Sequence, residues 1–309
     1  MMTASPAVSF IGAGPGDPEL LTVRGQRLIR EADVVIYTDS LVHPGVAALA
    51  RPGAEVHGSA GLTLEQLVEL MAGSVAQGKR VARVHTGDPS IFGAVQEQVA
   101  ALEARGVPCS VVPGVSSVFA AAAALGVELT APELSQTVIL TRMEGRTPMP
   151  PGEKLRDLAR HQATLVLFLS VTLLDEVVAE LLAGGYPPET PAAVAHRVTW
   201  EDQKVVRGTL ADIAARVREA HIHSHALILV GKVLGQEVRG ERVAYRSRLY
   251  DPSFSHGYRK AGQEGRPRRG RRGAASSAPA SVLERDETVG AGLAPPPADA
   301  QGSGSRVGP

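Results

Sequence analysis

Val8-Ser9-Phe10-Ile11-Gly12-Ala13-Gly14-Pro15-Gly16-Asp17-Pro18 is the stretch on which the fold class turns. A short apolar run, Val8–Ile11, leads directly into three glycines within five residues. A strand that delivers a glycine loop at its carboxyl end is the arrangement of open α/β sheets, where ligands bind beyond the carboxyl ends of strands. The loop is not a dinucleotide fingerprint. Its spacing is G-x-G-x-G rather than G-x-G-x-x-G, and Pro15 lacks an amide that a pyrophosphate would need. No helix opens at the third glycine, because Thr22 is the better cap, and no Gly-Lys-Ser/Thr follows. The loop therefore suits a flat or uncharged part of a ligand better than a polyphosphate. Taken alone, a tight structural turn explains it equally well.

Outward from this stretch, β-branched runs alternate with helical ones. Further strands are predicted at Val34–Tyr37, Ala54–His57, Arg80–His85 and Ser110–Val112, with helices near Thr22–Glu31, Thr63–Gln77 and Ile91–Ala104. Thr63 and Gln66 have capping-box spacing, and Leu64, Leu67, Val68 and Met71 fall on one helical face. The second half repeats the theme. Strands are predicted at Thr137–Thr141, Thr164–Leu169, Ala192–His196, Lys204–Val206 and Ala226–Val233, with helices at Gly152–His161, Leu173–Ala183 and Thr209–Glu219. Two strands in succession over Val194–Arg207 predict a second sheet that is not purely parallel. The fold class is α/β, with two α/β domains and mixed sheets, over residues 6–114 and 115–240.

From Asp251 to Pro309 the composition shifts to Gly, Pro, Ala, Ser and Arg. Too little apolar surface remains to offset ordering entropy, so residues 251–309 are predicted to be a disordered tail. Five arginines between Arg266 and Arg272 suit RNA or an acidic partner, but a solvated tail is the plainer reading. Over all 309 residues, 32 Lys+Arg balance 32 Asp+Glu, so no global field draws nucleic acid or an anionic membrane. Apolar residues at 44% suffice for a sizeable core. A single cysteine, Cys109, excludes a disulfide framework and a cysteine-cluster metal site. No signal peptide is expected in MMTASPAVSF, and no apolar run approaches the roughly 20 residues of a spanning helix, so a cytoplasmic location is expected.

Two further loops extend the pattern. His85-Thr86-Gly87-Asp88-Pro89-Ser90-Ile91-Phe92-Gly93 follows the fourth strand, and Val112-Pro113-Gly114-Val115-Ser116-Ser117 opens the next helix with Ser116 as N-cap. Asp88 either caps the helix that follows or accepts hydrogen bonds from a ligand. Three such loops together are far more specific than any one.

At this point the chain resembles the tetrapyrrole methylases. GAGPGDPELLT, ADVVIYTDSLV, HTGDPSIFG and VPGVSS carry the resemblance in order and spacing, over roughly residues 6–237. These are S-adenosylmethionine-dependent enzymes of sirohaem and cobalamin synthesis. YTDSLV and LTRMEGRTP are similar to the branch that methylates carbon 11 of precorrin-4 or its cobalt form. Methylation at another tetrapyrrole position is the alternative inside the family, and a non-catalytic nucleotide- or RNA-binding module is the alternative outside it. The resemblance implies S-adenosylmethionine held in a cleft between the two domains, and a homodimer. It places Pro15 in the first loop against the cofactor, then Thr86, Gly87, Asp88 and Ile91, then Ser116 and Ser117. Leu169 matches a position beneath the adenine, and Val198 and Ala226 match backbone-contact positions.

The acid proposed as a base in the uroporphyrinogen branch falls on Thr38 here, so no catalytic base is assigned, and Asp39 is the one candidate. The implied substrate carries acetate and propionate groups, which Arg142 and Arg146 would meet with guanidinium forks; surface ion pairs are the alternative for both. His43 reads as a solvated loop histidine. His221, His223 and His225 alternate and would share one face of a strand, but no acid stands beside them, and no metal site is expected. Trp200 beside Glu201 offers a stacking platform, but a place in a second-domain hairpin is the plainer reading.

Overall fold

The computed structural model describes residues 7–235, 247–255, 257 and 259–262. The expected tail lies mostly outside the described residues; those from Asp251 onward that are described belong to no helix or strand element.

The first sheet holds β1 (Val8–Gly12), β2 (Val34–Tyr37), β3 (Glu55–Gly58), β4 (Val81–His85) and β5 (Cys109–Val112) in the order β3-β2-β4-β1-β5. Every pairing is parallel, so the mixing expected of the sheets is confined to the second. A parallel sheet is covered on both faces, and β1 and β4 are buried at every residue. Phe10, Ile36, Met71 and Leu102 fill one face. Ile11, Ile29, Val35 and Val84 fill the other. The covering helices are α1 (Val23–Glu31), the short α2 (Pro44–Ala47), α3 (Leu64–Ala76) and α4 (Val95–Glu103). Local chemistry sets their starts. Thr22 caps α1 and Thr63 caps α3, where the capping box with Gln66 is complete. Helix α4 begins four residues later than its apolar spacing predicts, because Phe92 and Ala94 adopt left-handed backbone, with φ of 52° and 49°.

After β5 the chain changes sheets. Ser116 caps α5 (Ser117–Leu125), whose Val118, Ala121 and Leu125 pack on Val166 and Leu229 of the second sheet. That sheet holds β6 (Val138–Arg142), β7 (Thr164–Phe168), β8 (Pro191–His196), β9 (Lys204–Thr209) and β10 (Ala226–Val230), in the order β6-β7-β10-β8-β9. Only β6 and β7 are parallel. Helices α6 (Leu155–Ala159), α7 (Leu174–Ala183) and α8 (Ile213–Glu219) cover its far face around Leu165, Leu167, Leu181 and Ile228. Helix α8 starts later than the predicted Thr209 because Thr209 ends β9; its N–H donates to the Asp212 carboxylate at 2.7 Å, and the helix opens at Ile213.

Candidate functional site

The three glycine-containing loops leave the carboxyl ends of β1, β4 and β5 and meet. Gly14 and Gly87 exchange backbone hydrogen bonds of 3.2 and 2.8 Å. Gly12, Gly87 and Gly114 lie so close that a Cβ on Gly12 would stand 2.6 Å from the Gly114 Cα, and one on Gly114 would overlap the Gly87 carbonyl. No other residue allows that approach. Asp88 completes the tie. One carboxylate oxygen accepts from the Gly114 N–H at 2.9 Å, the other from the Ser90 N–H at 2.9 Å and the Ser90 hydroxyl. Burial raises its pKa, but the hydrogen bonds from Ser90 and Gly114 outweigh this and leave it below the ordinary value. Asp88 does not cap α4, which starts at Val95; the capping alternative for it is replaced by a bridge between two loops.

Beside this junction lies a cavity of about 390 Å³. Pro15, Thr86, Gly87, Asp88, Ile91, Ser116 and Ser117 line it from the first sheet's side, and Leu169, Val198 and Ala226 from the second. All ten positions singled out for a cofactor thus border one space. Its walls are mainly apolar, with Phe92 and Phe168 rings 5.1 Å apart and Leu41 at the edge. Four lining residues, Phe92, Leu169, Arg197 and His225, have φ between 44° and 52°. Left-handed backbone on bulky residues costs on the order of 1–2 kcal/mol each and gathers at functional sites.

The remaining candidates stand elsewhere. Asp39 is exposed, outside the cavity lining, and accepts from the Ala60 N–H at 2.8 Å; that bond chiefly lowers its pKa. Arg142 donates to the carbonyls of Met143, Thr147 and Pro148 at 3.2, 3.1 and 2.8 Å, which rivets the loop after β6. Arg146 is exposed on that loop. Neither arginine lines the cavity. His43 is not a solvated loop residue: its Nδ1 caps α2 by accepting from the Gly45 N–H at 3.0 Å, and its ring stands edge-on to Trp200 at 4.7 Å. His221, His223 and His225 do not share a strand face, because β10 starts only at Ala226.

Several lining residues escaped sequence reasoning. His225 donates from Nε2 to the Ser40 carbonyl at 2.8 Å, with Nδ1 accepting from the Ser224 hydroxyl, and so joins the loop after β2 to the second sheet. His223, Arg197 and Trp200 also line the cavity. Only the alternation around His223 hinted at their placement. Behind the second loop, His85 and Arg83 are buried on the α3/α4 side of β4. Burial, with Arg83 alongside, pushes the His85 pKa down to about 3, and its Nε2 has no hydrogen-bond partner among the described residues. Among the described residues Arg83 finds neutral acceptors, Gln98 at 3.2 Å, Ser59 at 3.0 Å and the Ile36 and Val84 carbonyls at 3.4 Å; burial lowers its pKa to about 10.

Two five-stranded α/β layers with a cavity at the ends of the first sheet's parallel strands describe a family. The chain belongs to the Tetrapyrrole (Corrin/Porphyrin) Methylases, whose pattern it matches over residues 7–214. It is 53% identical over 254 residues to the cobalt-precorrin-4 C(11)-methyltransferase of Methanocaldococcus jannaschii, covering 82% of this chain and 96% of that protein. Among solved structures, a cobalt precorrin-4 methyltransferase, described as a cobalamin biosynthetic enzyme, is similar with a TM-score of 0.72 at 51% identity, covering 74% of this chain and 95% of that one. The uroporphyrin-III C-methyltransferase of Thermus thermophilus, solved in complex with S-adenosyl homocysteine, is similar with a TM-score of 0.61 at 33% identity, covering 74% and 98%. Among the described residues, no helix is long and apolar enough to cross a membrane.

Proposed function

We propose that this chain methylates carbon 11 of precorrin-4 or cobalt-precorrin-4, with S-adenosylmethionine in the cavity at the glycine-loop junction. The convergence of ten residues from six separate segments on one space carries the reading. The 53% identity to a relative of that name supports the choice of ring position. The lining suits an amphipathic donor. Apolar walls from Ile91, Leu169 and Val198 would take the adenine, while the Thr86, Ser116 and Ser117 hydroxyls offer a few polar contacts, the usual make-up of a small-molecule site. A side chain in place of Gly87 would project beside Ser116 and Ser117, 3.7 Å from each, where the ligand is placed.

Bound S-adenosylmethionine would supply an electrophilic sulfonium methyl. The chain's own contribution is position. Gly12, Gly87, Gly114 and Asp88 fix the floor, and Leu41, Phe92 and Phe168 form an apolar approach for a flat macrocycle. Holding two reactants at reacting distance supplies on the order of 7–11 kcal/mol, so position is the main demand on the lining. Asp39, tied to Ala60, holds a loop rather than a proton. Arg146 meets an acetate or propionate of the substrate, and Arg142 shapes the loop that presents it. The working form is a homodimer.

The test is mass spectrometry of the purified protein with S-adenosylmethionine and each macrocycle in turn. The reading expects one methyl gained on precorrin-4 or its cobalt form. Methylation of uroporphyrinogen alone would move the assignment to another ring position, and no methylation of any macrocycle would overturn it.

A further inference from the structure

We infer that Trp200 is a positioning residue for the methyl donor, acting through the first glycine loop; the inference rests on the proposed reading of the cavity. Trp200 lies on the turn after β8, in the second sheet, yet its indole Nε1 donates to the carbonyl of Pro15 at 3.1 Å. One residue earlier, the Thr199 hydroxyl accepts from the Asp17 N–H at 3.0 Å. These bonds span 185 and 182 positions in sequence. They tie the loop after β1 to the far wall of the cavity at two points.

The ring is held from three sides. Arg197 stacks over it with its guanidinium carbon 4.0 Å from the ring centroid, and Arg197 is itself braced by Asp202 at 2.8 Å. His43 meets it edge-on at 4.7 Å. Gly16 closes the third side: a Cβ there would overlap the indole Cδ1 and Nε1 and crowd the Thr199 hydroxyl. Arg197 and Thr199 hold φ of 44° and 70°, so the turn that presents the ring keeps strained backbone at two of four consecutive residues. Strain of that kind persists where surrounding structure over-determines it. Trp200 and Pro15 both line the cavity. Without the indole N–H, the Pro15 carbonyl and Gly16 would have to be ordered on binding, and affinity falls when a ligand must order its own site.

Trp200 is also the only tryptophan of the chain. Its fluorescence therefore reports the cavity wall directly. Titration of the full chain with S-adenosylhomocysteine should change the emission saturably, with the same dissociation constant as calorimetry gives. Trp200→Phe keeps a ring against Arg197 and His43 but loses the donor. It should weaken S-adenosylhomocysteine binding by about 3- to 10-fold in calorimetry, the effect of one hydrogen bond. The macrocycle KM at saturating donor should stay within about twofold of the unaltered protein, a split that a merely structural loss would not give. Gly16→Ala should reproduce the loss by displacing the indole, and should add little once Trp200→Ala has removed it, since neighbours that act as a unit are not additive.

Wild-type affinity in Trp200→Phe overturns the inference while leaving the proposed function standing. So does an emission spectrum that ignores ligand seen to bind by calorimetry, or full additivity of Gly16→Ala with Trp200→Ala. Failure of the unaltered protein to bind S-adenosylhomocysteine at all overturns the cavity reading and this inference together.

Discussion

Asp88→Asn tests the junction on which the cavity is built. Three donors reach the carboxylate from two sides: the Ser90 N–H and hydroxyl at one oxygen, and the Gly114 N–H at the other. An amide has one acceptor oxygen, so whichever way the asparagine turns, its NH₂ faces a main-chain N–H. Leaving one partly buried donor unpaired costs about 1–3 kcal/mol. At about 2–4 °C per kcal/mol for a chain of this size, Tm should fall by roughly 2–12 °C. The pH dependence gives a second reading. The folded pKa of Asp88 lies below the ordinary carboxylate value of 3.8, so its contribution is fully present above pH 3.8 and is lost as pH falls through the lower folded value. Thermal unfolding of both proteins should therefore show a gap that is constant from neutral pH to about pH 5 and narrows below pH 3.8. A Tm within 1 °C of the unaltered protein, or a gap that persists unchanged in acid, would refute the bridge between the loops.

Gly114→Ala places a methyl against the Gly87 carbonyl, so S-adenosylhomocysteine binding, followed by calorimetry, should drop at least tenfold; retained affinity would show that the loops can part without cost. Arg146→Ala should lower macrocycle kcat/KM about tenfold, the lower end for a charge-assisted hydrogen bond because the side chain is exposed, while donor affinity holds. Equal loss of both would place Arg146 outside substrate contact. His85 has a depressed folded pKa of about 3 against 6.5, so the unfolded chain takes up the proton first and stability declines as pH falls from 6.5 toward 3, by up to about 1.4 kcal/mol per pH unit. His85→Leu should flatten that part of the Tm–pH curve, and an unchanged slope would assign the acid sensitivity to other groups.

Features that depend on near neighbours are legible in the amino-acid order alone. Thr63 finds Gln66 three residues on, Ser116 finds Val118 two residues on, and the strands of both halves follow from short apolar runs between turn residues. The glycine loops were legible for the same reason: a strand ending in G-x-G-x-G constrains its own backbone whatever packs on it. Tertiary structure alone decided which distant groups meet. Nothing local to Trp200 names Pro15, 185 residues away, and nothing local to His225 names the Ser40 carbonyl. Arg142 shows the same limit from the other side. Its spacing offered a free guanidinium beside a ligand cleft, whereas the loop after β6 folds back and occupies that fork with three carbonyls. Unpaired backbone acceptors in a loop must find donors, and the nearest long cation satisfies them before any substrate arrives. Helix α4 starts late because Phe92 and Ala94 take left-handed backbone, a conformation that residue-type preference disfavours and only the surrounding packing imposes.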